Sequence, residues 1–381
     1  MTMNIGIVCY PTFGGSGVVA TELGKGLADK GHKVHFITYK QPARLLDSFN
    51  ANIFYHEVSL NDYPLFDYAP YETALASKLV DVAIYANLDI FHVHYAIPHA
   101  SAAFMARKIL QTKGIDVPVI TTLHGTDITL VGKDPTYEPV VTYSINNSCG
   151  VTAVSESLKI DTYKHFDINK EIEVIPNFID FSRFKKTNKE HFKKAIAPNG
   201  EKIIVHTSNF RKVKRVEDVI YVFCKIAEAL PAKLLLIGDG PERHNMEVLV
   251  RSLCDSLDVR FLGKQDAVEE LLAVADLFLM PSESESFGLA ALEAMACEVP
   301  VISSDAGGIP EVNIEGVTGY LCPVGDIDCM ATKAIKLLKD ERMLEQFRKN
   351  ALAQAERFDI HNILPQYEYF YQKVKEKGDC V

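Results

Sequence analysis

The sequence lacks the features that mark membrane, secreted, disordered or nucleic-acid-binding chains. No run approaches the ~20 uncharged apolar residues needed to cross a bilayer, and the opening stretch MTMNIGIVCYPTFGG has no basic region before its short apolar run. Neither membrane spanning nor secretion is expected. With 22 Gly and 17 Pro in 381 residues there is no excess that would indicate collagen or low-complexity disorder. Basic charge is in deficit: Lys and Arg total 40 against 50 for Asp and Glu, a formal charge of −10. A general attraction to nucleic acid or anionic lipid is therefore not expected, and an anionic ligand must be met by a local basic pocket. The cysteines (Cys9, Cys149, Cys224, Cys254, Cys297, Cys322, Cys329, Cys380) include no CxxC pair and no zinc-like spacing. They are expected to be reduced thiols of a cytosolic protein.

What is present fits an ordinary folded protein of two domains, since a domain typically takes roughly 100–200 residues; hydrophobic residues are 48% and charged residues 24%. Short β-rich runs alternate with helical stretches throughout, the pattern of parallel sheets covered by helices on both faces. Strands are expected at 4–10, 33–39, 53–58, 89–94, 118–123, 150–154 and 173–175, with helices at 18–30, 71–85, 98–112 and 155–165. The polar, lysine-rich stretch 181–200 reads as a linker. A second series then follows at 202–208, 233–238, 258–262, 276–280, 300–303 and 319–322. Residues 341–377 have helical composition, and the aromatic run Tyr367-Glu368-Tyr369-Phe370-Tyr371 reads as a core-packing helix face. The fold class is α/β, two Rossmann-like doubly wound domains, with ligands expected at the carboxyl ends of the strands in a cleft between them.

The first strand leads into Gly14-Gly15-Ser16-Gly17-Val18-Val19-Ala20, and Gly15-x-Gly17-x-x-Ala20 formally meets the dinucleotide fingerprint. Glycines admit close backbone approach, and a helix N-terminus offers free N–H groups to an anion. A dinucleotide site also wants an acidic residue at the end of the second strand, where this sequence has Thr38-Tyr39-Lys40. Lys40 and Arg44 keep an NADP enzyme open, and a purely structural turn stays open too. In the second half, Pro281-Ser282-Glu283-Ser284-Glu285-Ser286-Phe287-Gly288-Leu289 joins a strand to a helix containing Glu293. Glu285 belongs to the loop, Glu293 to the second helical turn, and each carboxylate can accept hydrogen bonds from adjacent hydroxyls. The amides of Gly288 and Leu289 at the helix start suit a phosphate. His92, His94 and His99 raise the question of a metal, but two histidines at i, i+2 on a strand need further ligands that the local sequence does not supply, and no metal is expected.

The Pro281-to-Ala296 stretch resembles the Glu-x7-Glu signature of retaining GT-B glycosyltransferases that use nucleotide-sugar donors. His124-Gly125-Thr126-Asp127, Ile175-Pro176-Asn177, Ile237-Gly238-Asp239-Gly240-Pro241-Glu242, Phe261-Leu262-Gly263 and Ala306-Gly307-Gly308-Ile309-Pro310-Glu311 carry the same resemblance along nearly the whole chain. It implies an acceptor domain of residues 1–175 joined by a C-terminal helix of 359–381 crossing back, a donor domain of 176–358, and closure of the two to exclude water. It implies that Glu293 holds the nucleotide ribose and Glu285 the donor sugar. Gly14, Gly15, Asn209, Gly238, Phe287, Gly288 and Leu289 complete the donor set. The family places an Arg and a Lys on the diphosphate, which gives Lys214 and Arg211 the task of stabilising the leaving group. The usual spacing is Arg-x4-Lys; Arg211 stands closer, and counting back five from Lys214 reaches Asn209. His124 is implied to touch the donor sugar near the reacting carbon. The catalytic set is thus His124, Lys214, Arg211 and Glu285, with no metal and no other cofactor, and retention by front-face attack without a protein nucleophile.

Within that family, Cys9-Tyr10-Pro11-Thr12-Phe13-Gly14-Gly15-Ser16-Gly17, His92-Val93-His94-Tyr95-Ala96-Ile97-Pro98-His99 and Ser208-Asn209-Phe210-Arg211 resemble a subfamily of bacillithiol biosynthesis. The resemblance implies transfer of N-acetylglucosamine from UDP-N-acetylglucosamine to the hydroxyl of L-malate, with retention. Ser16, Gly17, Tyr95, Thr122, Thr126 and Asn146 are the acceptor candidates, and Arg211 is a further partner for a malate carboxylate. A related transferase with another acceptor, a UDP-N-acetylglucosamine epimerase and a non-catalytic nucleotide-sugar sensor stay open. The first domain shows no basic, aromatic amphipathic helix for a membrane surface, which disfavours a lipid-linked acceptor. The protein is expected in the cytoplasm, with no nucleic-acid or membrane partner and with self-association left open.

Overall fold

The computed structural model describes residues 2–12, 14–45, 49–60, 68–187, 189–253 and 257–377. Phe13, Cys254 and Cys380 lie outside the described residues. The chain divides into two compact units, Met1–Phe178 with Ile360–Val381, and Ile179–Asp359.

The first unit is built on a seven-stranded sheet of order β3-β2-β1-β4-β5-β6-β7. Its strands are β1 (Asn4–Val8), β2 (Lys33–Thr38), β3 (Ile53–Glu57), β4 (Ile90–His94), β5 (Val119–Leu123), β6 (Gly150–Ala153) and β7 (Ile172–Val174), all paired in parallel. Every residue of β4 and β5 is buried, as expected when helices cover both faces of a parallel sheet. β1 stops short of the expected residue 10 because Thr12 donates its N–H to the Tyr10 carbonyl, at 2.8 Å, and turns the chain. The C-terminal helix Ile360–Lys377 packs into this unit, burying Ile363, Leu364, Tyr367, Phe370, Tyr371 and Val374 at helical spacing. The aromatic run is a core face, with only Tyr369 turned outward. Lys373 pairs with Glu173 at 2.8 Å, fastening the helix to the edge of the sheet.

The second unit carries a six-stranded parallel sheet of order β10-β9-β8-β11-β12-β13. Its strands are β8 (Lys202–Ser208), β9 (Ala232–Gly238), β10 (Val259–Gly263), β11 (Leu277–Met280), β12 (Val301–Ser304) and β13 (Gly319–Cys322). The helix Val216–Ala229 lays Val219, Phe223 and Ile226 on Leu234, Leu236 and Leu277 in its core. β11 begins one residue later than expected because Asp276 is a buried carboxylate, accepting from the Ile203 amide at 2.9 Å and pairing with Lys193 and Arg348. The same ion pair corrects the reading of 181–200 as a linker. That stretch lies inside the second unit and contains the helix Glu190–Ile196, which buries Ile196 and sends Lys193 to Asp276. The expected pair of doubly wound domains is thus what the chain forms.

The cysteines need a second correction. Cys322, at the end of β13, and Cys329, in the first turn of the helix Ile327–Lys339, form a disulfide. The turn between them brings the Cα atoms to 6.0 Å, inside the range a disulfide spans. Cys149 is also disulfide-bonded. Cys9 and Cys297 are buried thiols outside any disulfide.

Candidate active site

In each sheet the strand order reverses once, between β1 and β4 in the first and between β8 and β11 in the second. Connections leave in opposite directions at such a point and open a crevice beyond the carboxyl ends of the strands, where ligands bind in doubly wound folds. Most of the residues singled out above lie on the loops that follow these four strands.

In the second unit the loop after β11 and the turn after β8 are tied together. The Glu283 amide donates to the Val213 carbonyl at 2.8 Å, and Ser304 fixes the Ser282 carbonyl from the next strand. Lys214 pairs with Glu285 at 2.5 Å, and Ser282 donates its hydroxyl to the same carboxylate oxygen at 3.0 Å. A cation and a carboxylate are thereby held side by side, a lysine suited to an anionic group and a glutamate whose remaining lone pairs suit hydroxyls. Gly288 caps the helix Leu289–Ala296 at φ +96, so the first amides of that helix are open to an anion. Glu293 lies half-buried one turn further on. Gly307 supports the site from below: a Cβ there would stand 2.0 Å from the Glu285 carbonyl oxygen, and its φ is +57. Beneath the β8 turn, buried His206 donates from Nδ1 to the Leu279 carbonyl at 2.8 Å, so its Nε2 accepts from the Ser208 hydroxyl at 2.8 Å. Burial holds its pKa down to about 4.

Arg211 is exposed and has no ion-pair partner among the described residues, while Arg215 is spent on Asp218 at 2.6 Å. Asn209 is exposed beside it, and Gly238 ends β9 at φ +117. The Phe287 ring is buried edge-on against Phe358, with centroids 5.5 Å apart. Its place in the site is to anchor the loop.

In the first unit, Gly15 caps the helix Ser16–Asp29 at φ +60, and nothing lies within 4 Å of where a Cβ on Gly14 or Gly15 would stand. Gly17 is different: a Cβ there would meet the Tyr10 carbonyl oxygen at 2.4 Å, so only glycine lets the helix start tuck under the loop. Ser16 and Tyr95 share a hydrogen bond of 2.7 Å between their hydroxyls. Tyr95 holds φ +86 although it is not glycine, a conformation that persists only where surroundings impose it. Burial pushes its phenol up to about 12, against the pull of Ser16. Thr126 is exposed next to this pair.

Asp127, which sequence reasoning passed over, organises both loops. It is buried, and its carboxylate accepts from the amides of Ala96 at 2.9 Å, Gly125 at 3.0 Å and His124 at 3.3 Å. Burial pushes its pKa up to about 6, with those amides acting against the rise. The only sequence sign was its place three residues beyond the histidine that follows β5. His124 is mostly buried, and its Nε2 lies 2.7 Å from His94 Nδ1 instead of standing clear of the sheet. Arg44, considered above for an NADP phosphate, pairs with Glu22 at 3.3 Å.

Two acceptor candidates are not brought to this place. Thr122 is fully buried, its hydroxyl engaged by His92 and Thr152 at 2.7 Å each. Asn146 ends the helix Glu138–Asn146, which runs antiparallel to the strands, so it reaches the amino ends of β6 and β7. There its side chain brackets a turn through the Asp167 carbonyl and the Asn169 amide, each at 2.9 Å. Among the described residues no cluster of three His, Cys, Asp or Glu is arranged to hold a metal ion.

Comparison with known proteins agrees with the two-domain fold. The family model "Glycosyltransferase Family 4" matches residues 13–183 and "Glycosyl transferases group 1" matches 187–354. The chain is 50% identical over 376 residues to the N-acetyl-alpha-D-glucosaminyl L-malate synthase of Bacillus anthracis, covering 98% of each chain. It is 28% identical to an uncharacterized glycosyltransferase of Methanocaldococcus jannaschii, over 89% of this chain and 88% of that one. In fold it resembles the sucrose-phosphate synthase of Thermosynechococcus elongatus, with TM-score 0.79, 21% identity and 98% and 99% of the chains covered. The Anabaena protein HepE, solved with UDP and glucose, gives 0.80, 21%, 97% and 99%.

Proposed function

The chain belongs to the GT-B glycosyltransferases, in the family that includes the malate synthase of Bacillus anthracis, and from that premise we propose that it transfers N-acetylglucosamine from UDP-N-acetylglucosamine to the hydroxyl of L-malate. The product is N-acetyl-α-D-glucosaminyl L-malate, and the step opens bacillithiol synthesis. The observation that carries this reading is 50% identity over 376 residues that cover 98% of both chains, the first unit included.

Roles follow from the chemistry of the groups. The Glu293 carboxylate takes the two ribose hydroxyls, and Glu285 a hydroxyl of the sugar. Lys214, with Arg211 free beside it, neutralises the diphosphate as its charge grows, and the amides after Gly288 receive a phosphate oxygen. These cations and amides do the work a metal ion would do, so the enzyme needs none. Asn209 and Gly238 border the nucleotide. In the first unit Gly14 and Gly15 leave room at the helix start, His124 meets the sugar, and the Ser16–Tyr95 pair with Gly17 and Thr126 receives the malate carboxylates. Attack comes from the face the diphosphate leaves, and a phosphate oxygen takes the malate hydroxyl proton, so the configuration is retained without a protein nucleophile.

No described helix is long and apolar enough to cross a membrane; a water-soluble donor and acceptor support a cytoplasmic enzyme. The test is UDP release from UDP-N-acetylglucosamine in chelator, with and without L-malate, and the mass of the product. Malate-dependent release with a product of sugar plus malate supports the reading. Donor binding without it transfers the case to another acceptor, an epimerase or a sensor.

A further inference from the structure

The carboxyl end of the first sheet holds more buried imidazole than the assignments above use. His92 has both nitrogens engaged, Nδ1 with the Tyr371 hydroxyl and Nε2 with the Thr122 hydroxyl, each at 2.7 Å. His99 donates from Nδ1 to the His94 carbonyl at 2.5 Å. His94 is fully buried, its Nδ1 lies 2.7 Å from His124 Nε2, and its own Nε2 is buried with no partner among the described residues. His124 Nδ1 makes no hydrogen bond among the described residues and is not one of the buried orphan atoms, so it lies on the accessible edge of the ring.

These facts decide where the protons are. Two neutral imidazoles sharing one hydrogen bond have two arrangements. In one, His124 Nε2–H donates to His94 Nδ1, and the proton of His94 must sit on Nε2, a buried N–H with nothing to receive it. In the other, His94 Nδ1–H donates to His124 Nε2, and the orphan atom is a bare lone pair. Buried N–H groups without an acceptor are rarer than under-satisfied acceptors, so the second arrangement is favoured. It places the His124 proton on Nδ1, at the open edge.

We propose that His94 is a positioning residue which donates Nδ1–H to His124 Nε2 and thereby holds His124 as a hydrogen-bond donor, from Nδ1, to an oxygen of the bound substrate. The inference rests on the transferase reading for what His124 meets, but the tautomer stands independently of it. Division of labour follows: Asp127 fixes the His124 backbone through its amide, and His94 fixes the ring. The sheet register enforces the arrangement, since His94 pairs with Thr122, two residues before His124. Burial keeps both rings neutral, holding His124 down to about 3 and His94 well below its ordinary value, so the ring serves as a donor across the neutral range without gaining charge.

The experiment is a long-range proton–nitrogen NMR spectrum of enzyme labelled with 15N-histidine, with His124 assigned through His124→Gln, together with kinetics of His94→Leu and His94→Asn. An asparagine nitrogen stands where His94 Nδ1 stands and can still donate. The wild type and His94→Asn are expected to show His124 with a pyrrole-like Nδ1 and a pyridine-like Nε2. His94→Leu is expected to show both tautomers, with kcat lower by about 10- to 100-fold, the scale seen when a histidine that ligates a metal loses the partner that orients its ring, and KM for the donor little changed. His94→Asn restores most of kcat. A pyrrole-like Nε2 in the wild type overturns the proposal, and so does full kcat in His94→Leu. If His94→Leu does not fold, His94→Asn decides: retained tautomer with retained kcat supports the role, retained tautomer with lost kcat refutes it. Absence of malate-dependent UDP release in the wild type would reject the transferase reading while leaving the tautomer to its own spectrum.

Discussion

Acidification from pH 7 to 5.5 should open the first unit while the second stays folded. Burial holds His92 and His124 down to about 3, His35 and His99 to about 4, and His94 well below its ordinary value, and all five belong to the first unit. A histidine whose folded pKa is depressed stabilises fully above its unfolded value, about 6.5, and loses that contribution as pH falls toward the folded value. At pH 5.5 each unfolded histidine has gained most of a proton while its folded counterpart has gained almost none, worth about 1.3 kcal/mol per residue by linkage. Five such groups cost about 6 kcal/mol over this interval. Asp127 works the other way, because its raised pKa of about 6 adds stability on acidification, and it returns about 0.8 kcal/mol. The net loss of about 5 kcal/mol is comparable with the whole stability of a domain, about 5–15 kcal/mol. The second unit has one strongly depressed histidine, His206, and loses about 1.3 kcal/mol. Hydrogen exchange read by mass spectrometry separates the units, with rates corrected for the intrinsic effect of pH. Protection of β4 and β5 should fall by about three to four orders of magnitude and that of β8 and β9 by about tenfold. Equal loss in both units, or unchanged protection in β4 and β5, would refute the reasoning.

Four further outcomes are expected. Lys214→Ala should lower kcat by about 10²- to 10³-fold, the scale for removing one preorganised donor from a developing charge, and an unaltered kcat in single-turnover assays would remove it from the leaving-group site. Glu293→Ala should weaken UDP binding by about 10- to 100-fold, through loss of charge-assisted hydrogen bonds of about 1.5–3 kcal/mol, and unchanged affinity in calorimetry would sink the ribose assignment. Gly307→Ala forces a Cβ into the Glu285 carbonyl and strains a positive φ. It should destabilise by about 1–3 kcal/mol and raise the donor KM, checked by thermal melts and initial rates, whereas neutral behaviour in both would show that the loop is not held from below. Activity should persist in excess chelator, and loss restored by a divalent cation would assign the charge-neutralising role to a metal.

Much of this protein can be read along the chain. Apolar runs such as Ile90–His94 and Val119–Leu123 report buried parallel strands because both faces of those strands are covered, and the 3.6-residue spacing of Tyr367, Phe370 and Tyr371 reports a core face without further help. The loop after β11 was legible for the same reason: Pro281 to Glu293 is one continuous segment, and a strand, a glycine cap and a helix start are local events. Periodicity alone could not say that 181–200 folds with the second unit, since that depends on Asp276 standing 83 residues from Lys193.

What the sequence by itself determined is therefore the order of strands and helices, the family, and the segments that carry the chemistry. The tertiary structure alone decided how side chains from different segments pair. Asn146 and Tyr95 looked equally available, yet an antiparallel helix carries Asn146 to the amino ends of the strands while the switch between β1 and β4 leaves Tyr95 at the carboxyl ends. Thr122 and His124 are two residues apart, but the neighbours set by register turn one into a sheet-interior hydroxyl and the other into a ring with one open nitrogen. Composition and spacing are properties of one segment, whereas a hydrogen bond between residues 30 apart exists only once the register of adjacent strands has been set.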